Sequence, residues 1–252
     1  MSILKKSITV CTLCICSAFT LSAKPYLTCP EYTEDSNVHL KDATDIAHKA
    51  QHAYKYLGSN RSSMGQMELF DENKKKIMQR KVLIIKKNDV TSPLKSAGLM
   101  QKWYAYFLSP ADIRGMALTV WKHPNKDDDR WLYLPDLGLT KRLVGADKRG
   151  SFAGSQFVYE DITGRYPQMD DHHLLFENEQ QWLIKSTPKS QNKSLVEFSY
   201  FVTCVDKHTY VPIKRTFYDK QNLSQREFRV EEVEMIQNYP TIVKFSMHDL
   251  QS

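Results

Sequence analysis

Two stretches constrain the fold more than the rest. In "WYAYFL", residues 103–108, one parity reads Trp103, Ala105 and Phe107 and the other Tyr104, Tyr106 and Leu108. "RWLYLP", residues 130–135, repeats the pattern, with Trp131 and Tyr133 on one parity and Leu132 and Leu134 on the other. Successive side chains of a strand point to opposite faces, so an antiparallel sheet with one wet face alternates apolar and polar residues. Strands that are apolar on both parities need cover on both sides, from helices or from a ligand.

The rest of the chain supplies many more strands and few helices. "MGQMELF" and "KIMQRKVLIIKK" flank the turn-like "DENKK" and read as a hairpin. "QKWYAYFLSP", "GMALTVWKHP", "DRWLYLP" and "LTKRLV" follow, separated by short polar turns. "HHLLFENE", "QWLIKSTP", "SLVEFSYFVTCVD", "YVPIKRTFYDK" and "SQREFRVEEVEMI" continue the series. "DATDIAHKAQHAYKYLG", residues 42–58, reads as one helix, capped by Asp42, with Ile46, Ala50, Ala53 and Leu57 at helical spacing and Gly58 as the stop. Consecutive strands with tight turns imply an antiparallel meander, mostly β with a minor helical part. A curved sheet with an apolar concave face, partly covered by that helix, satisfies the two-faced strands. Ordinary core packing satisfies them too.

The N-terminus reads as an export signal: Lys5 and Lys6, an uncharged apolar run from Ile8 to Leu21, then Ser22, Ala23 and the polar Lys24-Pro25. The run is shorter than the ~20 residues a membrane span needs. Residues 1–23 are therefore expected to be removed, leaving 24–252 as a single domain in the periplasm. Removal takes Cys11, Cys14 and Cys16 and leaves Cys29 and Cys204, which fit one disulfide or stand as two unrelated thiols. It also takes two lysines and no acid, so the formal charge falls from +6 to +4. That charge is spread along the chain and lacks the concentrated basic face of a nucleic-acid binder.

The polar clusters do not assemble a catalytic constellation. His48 and His52 have i, i+4 spacing, but no glutamate follows His48 and no third metal ligand is evident. "HPNKDDDRW", residues 123–131, lacks the spaced oxygen ligands and central glycine of a calcium loop and reads as a solvated turn. "GSFAGS", residues 150–155, lacks a phosphate loop's Gly-Lys-Ser/Thr ending, and no nucleophile elbow surrounds Ser151 or Ser155. His172 and His173 point to opposite faces on a strand. These observations favour a protein that is not an enzyme and needs no metal or cofactor.

One long ordered stretch is more specific. "DDDRWLYLPDLGLTKRLVGADKRGSFAGSQFVYEDI", residues 127–162, resembles the motif region of outer-membrane lipoprotein-sorting proteins, a branch of the LolA/LolB-like superfamily. The matching residues are Trp131, Tyr133, Leu134 and Pro135, then Lys141, Arg142 and Leu143. Ser151, Phe152, Gly154, Ser155, Phe157, Tyr159, Glu160 and Asp161 complete the pattern. The likeness extends over residues 42–249. It implies an incurved antiparallel sheet, a half-open β-barrel with a helical lid. It implies carriage of a lipid, lipoprotein or other acylated cargo through the periplasm, in some relatives beside an inner-membrane transporter of the resistance–nodulation–division type, and delivery to an outer-membrane acceptor. A non-carrying adaptor that uses the same sheet for protein contact is the alternative. Relatives continue past "SMHDL" into a further hairpin, so ending at Gln251-Ser252 implies either a truncated gene or an unpaired edge strand.

On this reading Trp103, Phe107, Trp121, Trp131 and Tyr133 are groove-lining candidates. Lys141, Arg142, Lys148 and Arg149 are candidates for meeting anionic headgroups or an acidic partner. Parity does not say which face is concave, because a register shift of one residue swaps the faces. The exported chain is expected to begin at or near Lys24, which the intact mass of the product checks. A membrane-embedded product that retains residues 1–23 is the opposite outcome.

Overall fold

Aspartates at strand ends set out the hairpins. The carboxylate of Asp71 accepts the backbone N–H groups of Asn73 and Lys75 at 3.0 and 2.9 Å, while Lys74 turns through φ 60°. Asp206 does the same for Thr209, and Asp219 for Gln221 and Leu223, with Asn222 at φ 61°. Short polar side chains that bind their own backbone favour such turns over a continued strand.

The computed structural model describes residues 6–14, 29–31, 41–89, 100–123 and 126–251. The expected cleavage point after Ala23 lies outside them. In chain order the elements are β1 (Lys6–Cys14), β2 (Lys41–Asp42), α1 (Thr44–Lys55), β3 (Asn60–Asp71), β4 (Lys76–Asp89), β5 (Met100–Ser109) and β6 (Ala117–Lys122). They continue with β7 (Asp129–Leu134), β8 (Leu139–Arg142), α2 (Tyr159–Thr163), β9 (Asp170–Glu177) and β10 (Gln181–Pro188). The last are β11 (Tyr200–Asp206), β12 (Pro212–Tyr218), β13 (Ser224–Ile236) and β14 (Tyr239–Asp249). Short 3-10 turns fill the segments between β7 and β9. Another, Ser190–Leu195, replaces the start of the long strand expected at "SLVEFSYFVTCVD".

Among the described residues the strands join one antiparallel sheet of 14 strands, in the order β2-β9-β10-β11-β12-β13-β14-β1-β3-β4-β5-β6-β7-β8. The sheet is not closed: β2 and β8 are its two ends. Its curvature shows in the core, where Met67, Val82, Trp103, Phe107 and Leu118 from one half share a cluster with Phe217, Phe228, Val230 and Phe245 from the other. This is an incurved sheet, a half-open barrel. In the full chain β14 lies between β13 and β1, and β1 falls within the segment expected to be removed on export. A disulfide joins Cys29 to Cys204 of β11, with Cα atoms 6.2 Å apart.

Register decides the faces. Lys86 of β4, Trp103 of β5 and Val120 of β6 are successive cross-strand partners, so these residues share the concave side. Trp103, Ala105, Phe107, Leu118 and Val120 are all buried there. The other parity carries Trp121 opposite Lys102 and Trp131 opposite Thr119. Trp121 and Tyr133 are 41% and 39% exposed, and Trp121 meets Trp131 edge-on at 5.5 Å. The five aromatic candidates therefore divide: Trp103 and Phe107 point inward, while Trp121, Trp131 and Tyr133 lie on the convex side. Inward positions on β7 belong to Arg130, Leu132 and Leu134.

Inside the curve sits the small-residue loop. Ala153 and Gly154 are consecutive left-handed residues, φ 52° and 71°, which reverses the chain in one step. The Ser151 hydroxyl donates to the Ser155 carbonyl at 2.6 Å, and the Ser155 hydroxyl to the Phe152 carbonyl at 2.7 Å. With its polar groups tied internally, the loop presents Phe152 to Phe107 at 5.7 Å and Phe157 to Phe245 at 5.6 Å. Phe107→Ala is expected to cost about 3–5 kcal/mol of stability, and Trp121→Ala no more than about 1.5 kcal/mol. Chemical denaturation of the two variants checks the assignment of faces.

Candidate ligand cavity and its basic end

Between α1, the tucked loop and the concave face lies a cavity of about 100 Å³, inside about 940 Å³ of atom-free space that includes open solvent. Met67, Val82, Trp103, Phe152, Phe157 and Phe245 give it apolar walls. Phe107 lies deeper in the core and does not line it. Pockets that take small molecules have this make-up, apolar walls with a few placed polar groups.

The polar groups gather at one end. The β3–β4 register sets Arg61 directly opposite Lys86 on the concave face. Lys55, in the last turn of α1, faces them from above and donates to the carbonyls of Ile162 at 2.9 Å and Asp161 at 3.3 Å. The helix end supplies a second reason for this cluster. A helix C-terminus leaves carbonyls without intrahelical partners and carries a partial negative charge. Lys86 donates to the Lys55 carbonyl at 2.6 Å, Gln101 to the same atom at 2.8 Å, and Asn88 to the Tyr56 carbonyl at 2.8 Å. These bonds fix α1 over the cavity.

Arg61 is different. Among the described residues it has no hydrogen-bond or ion-pair partner, and the buried Ser63 hydroxyl beside it also has none. Burial, then repulsion from Arg61 and Lys122, pulls Lys86 down from 10.5 to about 7. Lys55 lies well below its usual value, chiefly through burial, then repulsion from Lys86 and Lys122. Burial lowers Arg61 as well.

The aromatic–acidic end of the motif region has another task. Asp128, at the turn expected to be solvated, is only 5% exposed. It pairs with Arg130 at 2.7 Å and Lys122 at 3.4 Å, and accepts the Tyr166 hydroxyl at 2.8 Å. Arg165 grips Asp170 through two nitrogens, both at 2.9 Å from its oxygens, and Arg226 of β13 pairs with Asp161 of α2. Sequence reasoning missed this network because three consecutive aspartates look like surface.

The four basic rim candidates are largely engaged. Lys141 pairs with Asp147 at 3.0 Å, Arg142 with Asp129 and Lys148 with Asp127. Arg149 lines a separate recess with Gln156 and Glu160. His48 and His52 are exposed on α1, and His172 is buried between the Ser186 hydroxyl and the Pro167 carbonyl, each at 2.8 Å. Among the described residues no group of three or more His, Cys, Asp and Glu could hold a metal ion, and no helix is long and apolar enough to cross a membrane.

A family model described as an uncharacterized protein matches residues 100–252. No curated protein matches the chain. Among solved structures, the chain is similar to a DUF1329 family protein from Desulfovibrio piger, with TM-score 0.68 and 23% identity over 82% of this chain and 88% of that one. A domain from Vibrio parahaemolyticus described as an outer membrane lipoprotein-sorting protein gives 0.66 and 22%, over 82% and 90%. A LolA superfamily protein from Nitrosomonas europaea gives 0.56 and 15%, over 83% and 91%. The fold is LolA-like.

The depressed lysines make a pH signature. A lysine whose folded pKa is lowered binds fewer protons folded than unfolded, so stability rises with pH between the two values. For Lys86 that window runs from about 7 to 10.5. Lys86→Met is expected to remove a slope of at most about 1.4 kcal/mol per pH unit in this window. Urea denaturation of both proteins across it checks this; an unchanged slope places Lys86 in water.

Proposed function

The chain belongs to the family whose model spans residues 100–252, and we propose that it carries a lipid, a lipoprotein or another acylated molecule through the periplasm. The observation that carries this reading is the apolar cavity kept between the concave sheet and α1. An acyl chain in water is disfavoured by roughly 0.8 kcal/mol per methylene, on the order of 12 kcal/mol for about 16 carbons. A carrier must offset most of that and still release its cargo. Aromatic and methionine walls with few directional bonds suit both demands.

The similarity to a domain described as lipoprotein-sorting supports the reading. So does the use to which the candidate reactive groups are put. Ser151 and Ser155 hold the loop backbone, and His172 is bound on both ring nitrogens. The proposed role is binding, not catalysis. Its proposed partners are an inner-membrane transporter of the resistance–nodulation–division type and an outer-membrane acceptor, the pair implied by the sequence resemblance.

Native mass spectrometry of the exported chain after gentle extraction is expected to show copurified lipid or acylated protein. A ligand-free chain in a stable complex with a protein partner is the result that favours an adaptor. Brominated acyl chains are expected to quench Trp103 emission; Trp103→Phe should remove most of the quenching, and Trp131→Phe little of it.

A further inference from the structure

We propose that the cargo is an amphiphile with an anionic head, carboxylate or phosphate, and that Arg61 and Lys86 hold this head while the acyl chain lies along Trp103 and Phe157. The inference deepens the carrier reading and rests on it.

Three observations point the same way. First, two cations face each other across β3 and β4 on the concave side. Like charges directly opposite in a sheet repel, and burial sharpens the effect by removing solvent screening. Second, the cavity has no Asp or Glu in its lining. Other cations of the interior have acids: Lys122 and Arg130 share Asp128, Arg165 in the segment before β9 has Asp170, and Arg226 has Asp161. Among the described residues Arg80 of β4 and Arg215 of β12 have no acid at ion-pair distance either, but neither lines this cavity. Third, the Ser63 hydroxyl is buried at the same end without a partner.

Helix capping accounts for Lys86 in part, since it donates to the Lys55 carbonyl. It does not account for Arg61 or Ser63. Arg61 is half-buried with no acceptor among the described residues, and a carboxylate or phosphate offers the paired oxygens that its planar fork fits. Lys86 adds a second positive charge and Ser63 a hydroxyl donor. A zwitterionic head fits poorly, because the lining has no acid to meet its cation. The apolar walls begin beside this cluster, with Trp103 the cross-strand partner of Lys86, so head and tail find their surroundings in one continuous site.

The test compares ligands of one chain length on the delipidated full chain: palmitate, hexadecyl phosphate and hexadecanol, with inorganic phosphate as a headgroup without a tail. Palmitate and hexadecyl phosphate are expected to bind about tenfold or more tighter than hexadecanol. Arg61→Gln should shrink that preference to about twofold with hexadecanol binding unchanged. Lys86→Gln, which keeps a donor for the Lys55 carbonyl, should shrink it in the same direction. Equal binding of acid and alcohol by the unmodified chain overturns the headgroup assignment and leaves the carrier reading standing; this comparison needs no variant to fold. Inorganic phosphate that competes as well as hexadecyl phosphate overturns the amphiphile in favour of a free anion. Failure of all three acyl probes to bind overturns the carrier reading, and this inference with it.

Discussion

Phe152 against Phe107 and Phe157 against Phe245 are the contacts on which the architecture depends. A sheet that curls without closing has no second sheet to cover its concave face, and an apolar face left to water is unfavourable by roughly 25 cal/mol per Å². The tucked loop supplies the missing layer from inside. It also keeps the two halves of the sheet at a set distance, because Phe107 lies on β5 and Phe245 on β14. What the loop and α1 leave unfilled is the cavity. The binding space is thus a remainder of core packing, and its size follows from how far the two phenylalanines reach.

Such a loop must be held as firmly as it is placed. The ion pairs around it do this from several sides: Arg226 reaches Asp161 from β13, while Asp128, in the turn before β7, joins β6 to Tyr166 through Lys122. Glu160, pushed up by burial more than Arg165 and Arg130 restore it, sits in the same group. Breaking a buried pair by removing one partner leaves an uncompensated charge and costs about 3–5 kcal/mol. The acids of this region are spent on fixing the loop. The cavity's basic end, a few residues away along β3 and β4, receives none of them.

The strands and turns were legible because their causes are local. Alternation, aspartate turns and left-handed residues each act within a few positions, and α1 departs from its expected span only at the ends. It stops at Lys55 because the Tyr56 N–H closes the last turn on the His52 carbonyl and Gly58 then takes φ 75°. The faces were not legible. Trp131 and Tyr133 look as apolar as Trp103 and Phe107, and the bulge between Lys81 and Val82 in the β4–β5 pairing breaks any parity counted along the chain. The cationic pair was not legible: a hairpin centred on "DENKK" sets Arg61 opposite Ile85, and only the irregularity between Leu69 and Phe70 in the β3–β4 pairing brings Lys86 across from it. Asp128 shows the reverse case, a residue whose neighbours in sequence suggest water and whose neighbours in space are Lys122, Arg130 and Tyr166.

The strand β1 has a special place in the sheet. It lies between β14 and β3, and those two strands contribute Phe245 and Met67 to the cavity wall. The wall is therefore continuous only where residues 6–14 bridge it, and these residues fall within the segment read as the export signal. A chain that keeps them has a covered seam; a chain cut near Lys24 has two strand edges facing each other across the gap. Unpaired edges have backbone donors and acceptors to satisfy, so β3 and β14 must then close on each other or take up another strand. Direct closure narrows the cavity beside Phe245 and Met67. Another strand keeps it at its present width, with the wall partly made by a partner.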